Sequence, residues 1–134
     1  MLKIKVNTSA KEEIRDITGF VIEAAHKSGI EDGIMFLHCP HTTCALGINE
    51  NADRDVKKDI LTAYADIVKE DLPYKHCEGN STAHIKTLMT GVSLTVFIEQ
   101  GRPVFGTWQG VYLCEFDGPR SREVWLKFMG DKRK

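Results

Sequence analysis

Six stretches of the chain alternate apolar and polar residues or run briefly apolar between turn residues, and this recurrence constrains the fold more than any other feature. Leu2, Ile4 and Val6 alternate with Lys3 and Lys5, the period of a strand with one face buried and one in water. Cys44, Leu46 and Ile48 repeat the pattern, as do Leu94, Val96 and Ile98, and then Val124, Leu126 and Phe128. The run Ile34–Leu37 follows a turn-like Glu31-Asp32-Gly33 and reads as a strand buried on both faces. Gln100–Pro103 reads as a hairpin turn returning through Val104 and Phe105. The glycines around Trp108 and Gln109 then allow an irregular strand before Val111–Phe116 resumes the sheet.

Between these strands the apolar period changes to that of helices. Ile14, Ile17, Val21 and Ala24/Ala25 predict a helix capped by Thr8 or Ser9 and stopped by Gly29. Val56, Ile60, Ala63/Tyr64 and Ile67 predict a second, opened by the acidic turn Asn49–Asp55. A third runs from an N-cap at Asn80 or Ser81 to Thr90, before Gly91. At 134 residues the chain fits one domain, 1–134, able to bury its own core.

Charge and cysteine usage narrow the function. Eighteen Lys+Arg against 19 Asp+Glu leave a net charge of −1, so no basic field directs the chain to nucleic acid, and a small polar partner fits better. No apolar run approaches the roughly 18 residues of a membrane span. Cys39, Cys44, Cys77 and Cys114 form no C-x-x-C pair, and the start lacks a signal-peptide run, so a reducing cytoplasm is expected.

The chemistry concentrates in His76-Cys-Glu-Gly-Asn-Ser-Thr-Ala-His84, where a loop passes into a helix. His76 and His84 are groups that ligate metals or move protons near neutral pH, and Glu78 is a candidate base beside them. The helix start at Asn80 offers free N–H groups to an anion. His41, at a strand end interrupted by Pro40, is the third candidate imidazole, whereas His38 reads as a core histidine. With three neutral imidazoles, His41, His76 and His84, a zinc ion would keep an open fourth position, although a His-x7-His spacing is no standard zinc signature. Asn49, Asn51 and Asp53 are candidate polar contacts, Trp108 and Gln109 candidate pocket residues, and Lys86, Arg120 and Arg122 candidate phosphate ligands.

Five motifs, His41-Thr42-Thr43, Asn49-Glu50-Asn51-Ala52-Asp53-x-Asp55-Val56, His76-x-Glu78-Gly79-Asn80-x-x-Ala83-His84, Gly106-x-Trp108-Gln109-Gly110 and Glu115-x-Asp117-Gly118-Pro119-Arg120-x-Arg122, together resemble the YjbQ-like family. Part of that family carries the description secondary thiamine-phosphate synthase. The resemblance spans essentially the whole chain. It implies an α+β fold with a large antiparallel, sandwich-like sheet core and about three helices, a homotrimer, and a site near subunit boundaries whose histidines are able to hold a divalent metal such as zinc. For function it implies an enzyme on a small phosphorylated metabolite, with Glu78, His84 and Asp53 in catalytic roles. A metal-dependent hydrolase and a non-enzymatic trimeric metabolite- or metal-binding module are the alternatives. Cys44 departs from the family pattern, which has a small alanine-like residue there, and leaves open an oxidation-sensitive thiol near the site; Cys77 is a second departure.

Overall fold

The computed structural model describes all 134 residues, with eight strands and three helices in one α+β domain. One sheet orders its strands β1 (Leu2–Asn7), β8 (Ser121–Lys132), β3 (Ile30–His38), β5 (Ser93–Glu99) and β6 (Arg102–Pro103). The other orders β2 (Glu13–Asp16), β7 (Gln109–Glu115) and β4 (Cys44–Glu50), and every pairing in both is antiparallel. The expected antiparallel core with three helices is therefore the fold observed. No helix is long and apolar enough to cross a membrane.

The smaller sheet has apolar packing on both faces. Val111 and Leu113 of β7 join the main core with Val6, Met35, Leu37, Val96, Ile98, Val124 and Leu126, whereas Tyr112 and Cys114 face a second cluster holding Ala45, Ala83 and Phe116. Helix α1 (Thr18–Ser28) seals the main core with Val21, Ala24 and Ala25. Leu61 and Tyr64 of α2 (Arg54–Ile67) and Ala83 of α3 (Ser81–Thr90) belong to the second cluster. The strand buried on both faces is thus β7, while β3 alternates, with Met35 and Leu37 inside and Phe36 exposed.

Several boundaries differ from the sequence expectations, each for a tertiary reason. Residues 13–16 form β2 rather than the start of a helix, because Ile14 and its neighbours pair with Glu115–Tyr112 of β7. Helix α1 begins only at Thr18, where Asp16 Oδ1 accepts the Thr18 N–H, and it ends as expected at a left-handed Gly29. Thr8 and Ser9 cap nothing: their hydroxyls donate to Glu115 and Glu13. Glu31–Gly33 is strand with an irregular register, and Gly33 lies against Gly130 of β8, where a methyl group would meet the Gly130 Cα at 2.8 Å. The return of the hairpin stops at Pro103, so Val104 and Phe105 lie outside the sheet. Helix α2 buries no residue fully, and Ile67, expected inside, is 62 % exposed.

Candidate functional site

The loop Cys39–Thr43 leaves the end of β3, the central strand of the larger sheet, and enters the smaller sheet as β4, carrying His41 to the rim of the molecule beside the start of α3. Together with the His76–Asn80 loop and the turn before β8 it encloses a cleft of about 400 Å³. Its walls are Pro40, His41, Thr42 and Thr43 on one side, His76, Glu78, Asn80 and His84 on a second, and Arg120 and Arg122 on a third. The structure therefore brings together seven of the candidates named from sequence: His41, His76, Glu78, Asn80, His84, Arg120 and Arg122.

Arg122 is the fixed point of this cleft. Its Nε donates to Glu115 Oε1 at 2.8 Å, and its Nη2 donates to Glu115 Oε2 and, at 2.9 Å, to Thr43 Oγ1. Glu115 is fully buried and also accepts the Thr8 hydroxyl at 2.7 Å and the Asp117 N–H at 3.1 Å. Burial raises the Glu115 pKa, but the bonds from Arg122, Thr8 and the Asp117 amide outweigh it and hold the carboxyl below its ordinary value. A guanidinium gripped through Nε and Nη2 cannot rotate, which leaves Nη1 for the cleft that Arg122 also lines. Glu115 is the site residue that the sequence reading missed. Its signal was a carboxylate in an otherwise apolar strand, which demands a buried cation nearby.

Asp117 organises the next wall. It accepts Asn80 Nδ2 at 2.9 Å and Arg120 Nη2 at 3.1 Å; burial raises its pKa, and these two partners bring it below the ordinary value. Although Asn80 stands at the N-cap position of α3, its side chain accepts no helix N–H, and its buried Oδ1 has no protein partner.

His41 has a defined protonation state. The backbone N–H of Glu123 donates to His41 Nε2 at 2.9 Å, so Nε2 is an acceptor and the proton of the neutral ring sits on Nδ1. Desolvation, then the nearby Arg122 charge, lowers the pKa of His41 in keeping with a neutral ring. His76 and His84 stand edge to face with centroids 5.2 Å apart. Two imidazoles on one zinc ion at about 2.0–2.1 Å per nitrogen place their centroids roughly 5 Å apart, the spacing of this pair. His41 does not complete it as placed, because a metal on Nδ1 would move the ring proton to Nε2, against the Glu123 N–H. No three His, Cys, Asp or Glu side chains converge in ligand geometry.

The remaining candidates lie elsewhere. Lys86 is buried on α3, with its ammonium 3.0 Å from Glu12 Oε2, and lines none of the main clefts. Asp53 caps α2 by accepting the Asp55 N–H, Asn49 accepts the Glu50 N–H, and Gln109 accepts the Gly106 N–H. Asn51 packs on Gly110, and Trp108 is 63 % exposed. These five residues cluster at the Glu50–Gln109 end of the β4/β7 pair, opposite the Cys44–Glu115 end that faces the histidines. His38 is exposed, not core, and meets Ser93 Oγ at 3.1 Å. Cys44 is fully buried, and the adjoining Cys39 thiol together with burial pushes its pKa up, which makes it a poor target for oxidation. Cys77 is exposed.

Fold and site define an α+β protein of two antiparallel sheets with a polar cleft of histidines and arginines at one rim. The chain belongs to the YjbQ-like family, UPF0047, whose model matches residues 2–131. The UPF0047 protein MJ1081 of Methanocaldococcus jannaschii is 45 % identical over 132 residues, covering 98 % of this chain and 96 % of that one. YugU of Bacillus subtilis is 46 % identical over 132 residues, 97 % of this chain and all of its own. A crystal structure of an uncharacterised family member from Clostridium acetobutylicum superposes with a TM-score of 0.93 at 45 % identity, covering 96 % of this chain and 100 % of that one. A YjbQ-like protein of unknown function from Sulfolobus solfataricus gives 0.91 at 33 % identity, with 96 % and 95 % covered.

Proposed function

We propose that the cleft binds a small phosphorylated metabolite and acts on it by transferring or releasing the group that carries the phosphate. The observation that carries this reading is the rigid, buried Arg122 beside Arg120 and the start of α3, in a cleft otherwise lined by polar side chains. A guanidinium fixed by its carboxylate, with a second arginine lining the same cleft, suits an anion whose charge grows during reaction. The transferase form that family resemblance suggests joins a pyrimidine diphosphate to a thiazole phosphate. The carbon–oxygen bond to the diphosphate breaks, the thiazole nitrogen forms the new carbon–nitrogen bond, and pyrophosphate leaves with the electron pair. Arg122 Nη1 and Arg120 then bear the leaving charge, and the neutral His41 donates a hydrogen bond from Nδ1. Glu78, exposed at the mouth, accepts a proton where one is released. The test is product formation from the two thiamine precursors, expected in the wild-type protein and lost in His84→Ala; no product at any enzyme concentration would refute the transferase form.

The His76–His84 pair supports a second reading, hydrolysis assisted by a divalent ion such as zinc, which would supply a polarised water. Elemental analysis of the purified protein, with His76→Ala as control, tests it: one ion per chain, lost in the variant, is expected if it holds. Assembly as a homotrimer in the cytoplasm belongs to the same proposal. Its support is a row on the outer face of the five-stranded sheet where Phe97, Ile34 and Met129 lie side by side, with Phe97 63 % and Met129 64 % exposed. Sedimentation velocity at micromolar concentration would show a single species of three times 15.1 kDa, and a monomer would refute it.

A further inference from the structure

The polar cleft does not end at the histidines. A second cavity, of about 490 Å³, opens on the other side of His41 and His84 and shares Pro40, His41, Thr42 and His84 with the first. Its further walls are His38, Cys39, Thr87, Leu88, Gly91 and Val92. No carboxylate, lysine or arginine lines it, whereas the first cavity holds two arginines and a glutamate. The two lobes thus have different chemistry and meet at a seam of two imidazoles. Thr87 adds to this lobe no polar group within a ligand's reach, because the residue is 4 % exposed and its Oγ1 is buried.

We infer that the ligand is bipartite: a phosphoryl group seated in the arginine lobe, and an uncharged, carbon-rich group, such as an aryl ring, seated between Pro40, Thr87, Leu88 and Val92, with the bridging ester oxygen at the His41–His84 seam. This rests on the phosphoryl reading of the first lobe and adds to it a specificity for what the phosphate is attached to. A sugar or glycerol phosphate gains little from the second lobe, because its hydroxyls would exchange water for carbon there. An aryl group gains by burial, at least about tenfold in affinity for one ring. Orientation follows as well. The bond between phosphoryl and carbon parts lies beside Nδ1–H of His41, the donor whose tautomer the Glu123 amide fixes.

Titration calorimetry on the full chain with inorganic phosphate, glycerol 3-phosphate, phenyl phosphate and phenol separates the possibilities. Phenyl phosphate is expected to bind at least tenfold more tightly than either of the first two, and phenol alone not measurably. Leu88→Ser should remove most of that gain while leaving inorganic phosphate binding unchanged; Leu88 is 87 % exposed, so the variant folds. Arg120→Ala should weaken all three phosphates by a common factor. If inorganic phosphate binds and phenyl phosphate binds no better, the bipartite inference is overturned and the phosphoryl site stands. If no phosphate binds, both fall together. Phenol binding as tightly as phenyl phosphate would overturn the coupling of the two lobes.

Discussion

Replacing Glu115 by alanine asks whether the Glu115–Arg122 pair is what holds the arginine wall of the cleft. The carboxylate accepts from Arg122 Nε, Arg122 Nη2, Thr8 Oγ1 and the Asp117 amide, and Arg122 is only 4 % exposed. Removing one partner leaves a buried guanidinium without its counter-charge, a change that costs about 3–5 kcal/mol where it has been measured. At about 2.1 cal/mol/K of unfolding entropy per residue, 134 residues give roughly 0.28 kcal/mol/K, so Tm should fall by about 11–18 °C. Thermal denaturation followed by circular dichroism, at fixed protein concentration, reads this directly. Glu115→Met combined with Arg122→Met removes both charges and should cost less than Glu115→Ala alone, since the desolvation of the guanidinium disappears with it. A Glu115→Ala shift under about 3 °C, or a double variant that falls by the sum of the two single ones, would refute the argument, because uncoupled residues add.

Gly33→Ala would force a methyl group against Gly130 and the Met129 carbonyl in a backbone-to-backbone contact; we expect a loss of about 1–3 kcal/mol in urea denaturation, whereas Gly19→Ala, in open space, should be neutral or stabilising. Asp53→Ala removes the N-cap of α2 and should cost about 1 kcal/mol in the same assay, with phosphate binding unchanged. For pH, both His41 and Glu115 have folded pKa values below their ordinary values of 6.5 and 4.5, so the unfolded chain binds more protons and stability rises with pH. Denaturation midpoints should therefore begin to drop as pH falls below about 6.5 and drop again below about 4.5, and His41→Gln should abolish the first fall alone.

What the sequence made legible is the part that local periodicity determines. Strands β1, β4 and β5 and helix α3 follow from alternation, caps and glycine stops. Ile14 shows the limit. Its spacing to Ile17 and Val21 fits a helical stripe, yet residues 13–16 are strand because β7 offers them an edge, a partner about 100 residues away. Gly33 misled for a related reason: glycine suggested a turn, but there it permits two strands to touch. Ile67 had the right spacing for a core and no sheet beneath it. In the site, Arg122 was legible as an anion ligand but not as half of a buried pair, since that depends on β7 and the turn before β8 folding together.

The same physics explains why two groups of candidate residues, close in sequence, do not form one site within one chain. His41 and Asn51 are ten residues apart, but the strand between them is extended. Seven residues of β4, from Cys44 to Glu50, carry the chain about 20 Å across the sheet. β7 pairs with it over its whole length, Glu115 opposite Cys44 and Gln109 opposite Glu50, so Trp108 and Asp53 are held at the far rim as firmly as Arg122 is at the near one. No rotamer change closes that distance, and a loop movement would have to unzip the central strand of the smaller sheet. If Asn51, Asp53 and Trp108 serve the same reaction as His41, they must do so from a second copy of the chain. Mixing a His84→Ala chain with an Asp53→Ala chain would then restore activity that neither has alone, and failure of the mixture to recover any would confine the site to the histidine rim.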